Sequence, residues 1–240
     1  MALVFLALAH WLYYKQHKRM NIISCAFLIG CQLGSVLNVV CPSYPVNAVR
    51  GGNVVAVLET AKGLVNRVVI LHGDEPFVEP TRSALVQWRL PAELGDKSAL
   101  VVVNFRDPYL TMQSAGKGIV LGPQSHTIKA APYPGGVAVP TLVVDPFYPS
   151  VSMVVMGAAV LHLKITSSGA VGDVHVIQEL GDLTQSVIDS TKKWKFIPAR
   201  DQANKAIASD AFAVCVYRPL QNPIDKGEHY RDVLSLPAQR

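Results

Sequence analysis

The sequence predicts an α+β protein: two tandem β-β-α-β modules behind an N-terminal signal or membrane-anchor segment. Three observations predict it. Tyr44-Pro45 recurs as Tyr148-Pro149, an offset of 104 residues. The run Gln87-Trp88-Arg89-Leu90-Pro91-Ala92 recurs as Lys193-Trp194-Lys195-Phe196-Ile197-Pro198-Ala199, with the tryptophans 106 residues apart. Between these landmarks each half alternates apolar and polar positions about a glycine turn and then shows a short helical stripe leading to the tryptophan.

Taken in order, the first element is an address. Two apolar runs flank the basic cluster Lys15, Lys18 and Arg19. Met1–Tyr14 is too short for a hydrocarbon core, which takes about 20 residues. Met20–Cys41 carries no charge over 22 positions, although Asn21, Gln32, Ser35 and Asn38 weaken it as a span. Bases before an apolar stretch are the pattern of a signal peptide or of an anchor's cytoplasmic flank, so residues 1–43 predict export or anchoring. Leu28-Ile29-Gly30-Cys31 resembles a bacterial lipobox, which makes Cys31 the lipidation candidate. Met20 is an alternative start that would discard the basic cluster.

The second module, residues 148–219, is the clearer one. Ala159, Leu161, Leu163 and Ile165 alternate with Val160, His162, Lys164 and Thr166, the period of a half-buried strand. Ser167-Ser168-Gly169 supplies a turn, and Val171–Ile177 returns as the second strand. Asp182 reads as an N-cap before a stripe of Leu183, Val187, Thr191 and Trp194 on one helix face, with Pro198 as the stop. Ala208–Tyr217 alternates as a third strand, with Cys215 a small core residue. The first module, residues 44–107, repeats this in degraded form. It has a hairpin of Gly52–Leu58 and Leu64–Leu71 about Lys62-Gly63, a helix over Pro80–Trp88 and a third strand at Ala99–Phe105. Residues 108–147 are rich in proline and glycine and read as a linker in which Lys117–Leu121 could add an edge strand. Residues 220–240 read as a polar tail.

Composition narrows the function. Hydrophobic residues make up 50% and charged ones 16%, the opposite of a disordered chain. The formal charge of +5 rests on 22 Lys plus Arg against 17 Asp plus Glu. Residues 1–45 supply three of those charges and no acid, so the remainder is close to neutral. No window interleaves bases with aromatics, which argues against nucleic acid as a partner. The seven histidines show no zinc spacing, and His162 and His175, facing one another across the second hairpin, read as a solvent-face pair. Cys25, Cys31 and Cys41 lack metal spacing, and a Cys41–Cys215 disulfide has no support. No nucleophile elbow or phosphate loop is present. The sequence therefore predicts no enzyme, no metal and no cofactor.

The ordered motifs of the second module resemble the TonB C-terminal domain family. They are Tyr148-Pro149, Gly157 opening an alternating strand, Gly169-Ala170-Val171 at the turn, and Trp194-Lys195-Phe196-Ile197-Pro198-Ala199 after the helix. Trp194, Phe196 and Pro198 belong to this structural signature rather than to a binding site, a large ring on the sheet contributing a few kcal/mol of burial. The resemblance covers Tyr148–Pro219 well and Tyr44–Asp107 in outline. It implies an inner-membrane or periplasmic location and pairing of a strand with envelope proteins such as outer-membrane receptors. The third strand, with Ala211, Ala213, Cys215 and Tyr217, is the candidate partner-binding edge. Only about three residues separate Cys41 from Tyr44, too few to cross a periplasm at about 3.3–3.6 Å per residue. The expected function is thus a non-catalytic, periplasm-facing TonB-like interaction module rather than an energy transducer. The alternative is a structural envelope protein that self-associates, as a homodimer, through strand edges.

Overall fold

A computed structural model describes residues 38–218 except 49, 92–93, 95–96, 107–112, 115–118, 121–123, 135 and 148–155. The basic cluster, Cys25, Cys31, Tyr148, Pro149 and the polar tail lie outside the described residues.

The first half runs β1 (Gly52–Ala61), β2 (Leu64–Gly73), α1 (Val78–Leu85) and β3 (Ala99–Phe105). Short strands follow: β4 (Gln113–Ser114), β5 (Ile119–Val120), β6 (Ser125–Thr127) and β7 (Val139–Val144). The second half runs β8 (Gly157–Ile165), β9 (Val171–Gln178) and α2 (Leu183–Thr191), then β10 (Lys195–Ile197), β11 (Ala199–Arg200), β12 (Ala206–Ile207) and β13 (Ser209–Tyr217). The hairpin about Lys62-Gly63 is tight because both residues hold positive φ, 52° and 76°.

One six-stranded sheet contains both halves, in the order β2-β1-β3-β13-β8-β9. Within each half the strands are antiparallel, but β3 and β13 run parallel at the centre, with Leu100 beside Ala211 and Val103 beside Val214. This corrects the expectation that Ala211, Ala213, Cys215 and Tyr217 form a free edge. The physical reason is in the side chains: β3 is buried at every position and β13 from Ala211 to Tyr217, as central strands covered on both faces must be.

A parallel junction turns one half over relative to the other, so the two helices land on opposite faces. Leu183, Val187 and Trp194 pack with Val55, Leu100, Leu161, Leu163, Ala213 and Cys215 on one face. Leu85, Trp88 and Phe77 pack with Val54, Leu58, Val101, Val160 and Phe212 on the other. Cys41 packs against the second cluster and Cys215 belongs to the first, and both are free thiols. The sheet separates them, which removes a Cys41–Cys215 disulfide.

Three further expectations change. Residues 125–145 are not a spacer: β7 pairs with β6 and β10, and Ile128, Val137, Ala138 and Val143 are buried in the core. The segment to Cys41 is not all membrane or leader, because Asn38 exchanges backbone hydrogen bonds with Arg89 at 3.1 and 3.0 Å. Asp182 occupies the N-cap position without a side-chain cap bond, and Thr184 Oγ1 instead accepts the Leu180 N–H at 2.8 Å. Among the described residues no helix is long and apolar enough to cross a membrane.

Candidate partner-binding edge

The second half's landmarks serve the scaffold. Gly157 opens β8 at φ 146°, where a Cβ would meet Leu180 Cδ1 at 2.8 Å. Gly169 sits at φ 81° and accepts the Phe196 N–H at 2.9 Å, and a Cβ there would lie 1.9 Å from the Phe196 oxygen. Trp194 is fully buried and donates its indole N–H to the Val144 carbonyl at 2.9 Å, an acceptor shared with the Ser190 hydroxyl. It lies in the turn after α2, and the chain has already entered β10 before Pro198. Pro198 therefore does not stop the helix; backbone turns from Ser190 and Thr191 to Lys193 and Trp194 do.

With the third strands joined, β2 and β9 are the outer strands of the sheet. The β2 edge is crossed in three places. Leu64 bridges Arg89, the Arg82 guanidinium donates to the Val68 carbonyl at 3.1 Å, and the Ala131 N–H donates to the Leu71 carbonyl at 2.9 Å. At β9 the flanking bridge lies at Ala170, with Lys195, just before the strand. Register shifts between Val160 and Leu161 and between Leu163 and Ile165 leave Val174–Val176 as its regular stretch. Val176 keeps 40% of its surface exposed there. Register shifts of this kind twist an edge and blunt indiscriminate pairing, so the regular stretch of this outer strand is short.

Beside this edge lies a polar group of side chains. His162 and His175 are opposed across β8 and β9, and His162 stacks on Phe212 with ring centroids 5.2 Å apart. Asp210 Oδ1 lies 2.7 Å from His162 Nε2 and 2.5 Å from Lys164 Nζ. Burial pushes the Asp210 carboxyl up, but the hydrogen bonds from Lys164 and His162 outweigh it and hold the group below its usual range.

A second polar cluster joins the halves. Asp145 accepts from Asn104 Nδ2 at 2.8 Å, contacts His126 Nε2 at 2.9 Å and faces the Arg106 guanidinium at 3.7 Å. Arg106 also donates to the Pro146 carbonyl at 3.1 Å. At the other junction Arg218 donates to the Ala48 carbonyl at 3.3 Å and lies over the Tyr44 ring. Sequence reasoning missed these residues, although a signal was present. Val39-Val40-Cys41-Pro42-Ser43-Tyr44-Pro45 and Val143-Val144-Asp145-Pro146-Phe147-Tyr148-Pro149 extend the Tyr-Pro landmark backwards in both halves. Burial raises the Cys215 thiol well above its usual range, with the nearby Asp145 charge adding to it, which suits a core residue and not a nucleophile.

The family model described as Gram-negative bacterial TonB protein C-terminal matches residues 145–213. A solved structure, the solution NMR structure of Pseudomonas aeruginosa TonB CTD, aligns at 21% identity over 35% of this chain and 89% of that chain, with a TM-score of 0.30. No curated protein matches the sequence. The likeness to the TonB C-terminal family thus rests on residues 145–213, the stretch that runs from Asp145 into β13.

Proposed function

We propose that the chain is a non-catalytic, periplasm-facing interaction protein built from two TonB C-terminal-like modules, residues 44–107 being the degenerate copy. The shared order of hairpin, helix and third strand supports the duplication, as do the paired tryptophan bonds, Trp88 to Val40 and Trp194 to Val144. The basic cluster ahead of an uncharged apolar run supports an envelope location, by export or by an anchor. Its partner is an extended segment of an envelope protein, in the manner of outer-membrane receptors, paired to the sheet by main-chain hydrogen bonds.

The observation that carries this reading is the parallel pairing of β3 with β13. It closes the third-strand edge within the chain and leaves the Val174–Val176 stretch of β9 as the more open place for an added strand. Pull-down from envelope extracts with the wild type and with Val176→Glu tests it, with Val86→Glu on the exposed end of the first helix as a control. The expected result is an envelope protein retained by the wild type and the control and lost from Val176→Glu. Recovery of nothing but the chain itself would favour the self-associating structural protein instead.

A further inference from the structure

His162 and His175 stand directly opposite one another on β8 and β9, their ring centroids 6.1 Å apart and their planes inclined by 31°. We propose that this pair binds a late first-row divalent cation, Cu²⁺ or Zn²⁺, between the two imidazoles. This site does not depend on the partner-binding role proposed for the β9 edge.

Three observations carry it. Directly opposed residues of an antiparallel pair place their Cβ atoms about 4.5–5.5 Å apart, so two imidazoles can converge on one ion at about 2.0–2.1 Å. Imidazole pairs of this kind favour copper and zinc over magnesium or calcium. Second, Asp210 Oδ1 lies 2.7 Å from His162 Nε2. With the Nε2–H donated to this carboxylate, the Nδ1 lone pair of His162 is left to ligate, the carboxylate–histidine–metal arrangement that fixes the tautomer and raises ligand basicity. Lys164 shares Asp210, so the carboxylate is neutralised and orients the ring rather than joining the coordination sphere.

The third observation is the contrast with the first hairpin, where the opposed pair Val57 and Val69 stands on the face away from that half's helix, as His162 and His175 do in the second half. There the surface is covered: Val57 is fully buried in one cluster with Ile128 and Val137, and Tyr133 donates to Glu59 at 2.9 Å. In the second hairpin the apolar pair is replaced by two imidazoles, and His175 is exposed. Replacement of a covered valine pair by an open histidine pair with its own carboxylate provides a surface that a soluble ion can reach. Among the described residues no group of three His, Cys, Asp or Glu side chains could hold a metal ion. The protein therefore supplies two nitrogens, and water fills the remaining positions.

The test is titration of the full chain with Cu²⁺, read by electron paramagnetic resonance, and with Zn²⁺, read by calorimetry. The expected wild-type result is one ion per chain with two imidazole nitrogens coupled to the copper. His175→Ala, at an exposed position, should lose one nitrogen coupling and at least about tenfold in affinity for each ion. Asp210→Asn should keep both nitrogens and lose about 10–100-fold in affinity. Binding as tight in His175→Ala and in His162→Ala as in the wild type would overturn the site. An unchanged affinity in Asp210→Asn would overturn the orienting role of the carboxylate.

Discussion

Trp88 and Trp194 lie on opposite faces of one sheet, and each donates its indole N–H to a valine carbonyl, Val40 at 2.8 Å and Val144 at 2.9 Å. Trp88 also meets Phe212 of the second half edge to face, with ring centroids 5.6 Å apart. Each ring therefore ties a helix end to the chain that leads into its own half, and Trp88 in addition reaches across the parallel junction. The two halves cannot be separated without exposing both faces of β3 and β13.

Trp194→Ala removes a fully buried ring and a bond to a buried carbonyl, so it should cost about 3–5 kcal/mol. Trp194→Phe keeps most of the apolar surface, and the Ser190 hydroxyl still serves Val144, so its cost should be smaller. Because one sheet carries both halves, chemical denaturation should show a single transition moving as a unit. Wild-type stability in Trp194→Ala would refute the packing.

Gly169→Ala and Gly63→Ala place a Cβ against the carbonyl oxygen of Phe196 at 1.9 Å and of Leu90 at 2.6 Å. Both oxygens are backbone and cannot swing away, and both glycines hold positive φ. Strain of this type costs on the order of 1–3 kcal/mol for the backbone conformation before any clash is relieved. Gly169→Ala, with the closer approach, should lower the melting temperature more than Gly63→Ala. The reverse order in calorimetry would contradict the turn geometry.

The hairpins, the helix of each half and the third strands were legible in the sequence because alternation and a glycine turn report local structure. The strand expected at Ala99–Phe105 has the same bounds in the structure. The way the halves join was not legible from alternation, which is silent on which strands neighbour one another. A signal did exist in Ala-Leu-Val-Val-Val-Asn-Phe and Ala-Phe-Ala-Val-Cys-Val-Tyr, apolar at nearly every position. Such runs mark strands buried on both faces, whereas an edge strand would show one polar face. Proline density hides the strand within residues 125–145, since Val139–Val144 pairs on both sides around Pro140. The histidine pair was visible from hairpin register, but Asp210 came to it only through the pairing of β13 with β8.

Arg106 and Asp145 face one another at 3.7 Å with 5% of each side chain exposed. Arg106→Ala leaves a buried carboxylate without its cation, a loss of about 3–5 kcal/mol, and the bonds from Asn104 and His126 place it toward the lower end. Arg218→Ala removes hydrogen bonds to the Pro45 and Ala48 carbonyls and a contact with the Tyr44 ring but strands no acid. Its cost should be about 1–2 kcal/mol. Urea titration of the two variants side by side reads this difference, and equal losses would argue against a charge held at the Asp145 junction.

The Asp145 junction also makes stability depend on pH. The hydrogen bond to Asp145 raises the His126 imidazole above its ordinary value of 6.5; burial pulls the other way and is outweighed, with the Asp145 and Asp74 charges adding to the rise. A histidine raised on folding contributes fully below its unfolded value and loses that contribution as pH climbs through the folded value. The melting temperature should therefore fall as pH rises above about 6.5 in the wild type. His126→Gln should flatten that part of the profile, and the difference between the two curves isolates His126 from the other histidines. Asp210 acts in a separate window: its carboxyl is held below 3.8, so its contribution is lost as pH falls through that lower range. Parallel curves for the wild type and His126→Gln across neutral pH would show that the His126–Asp145 contact carries none of the dependence.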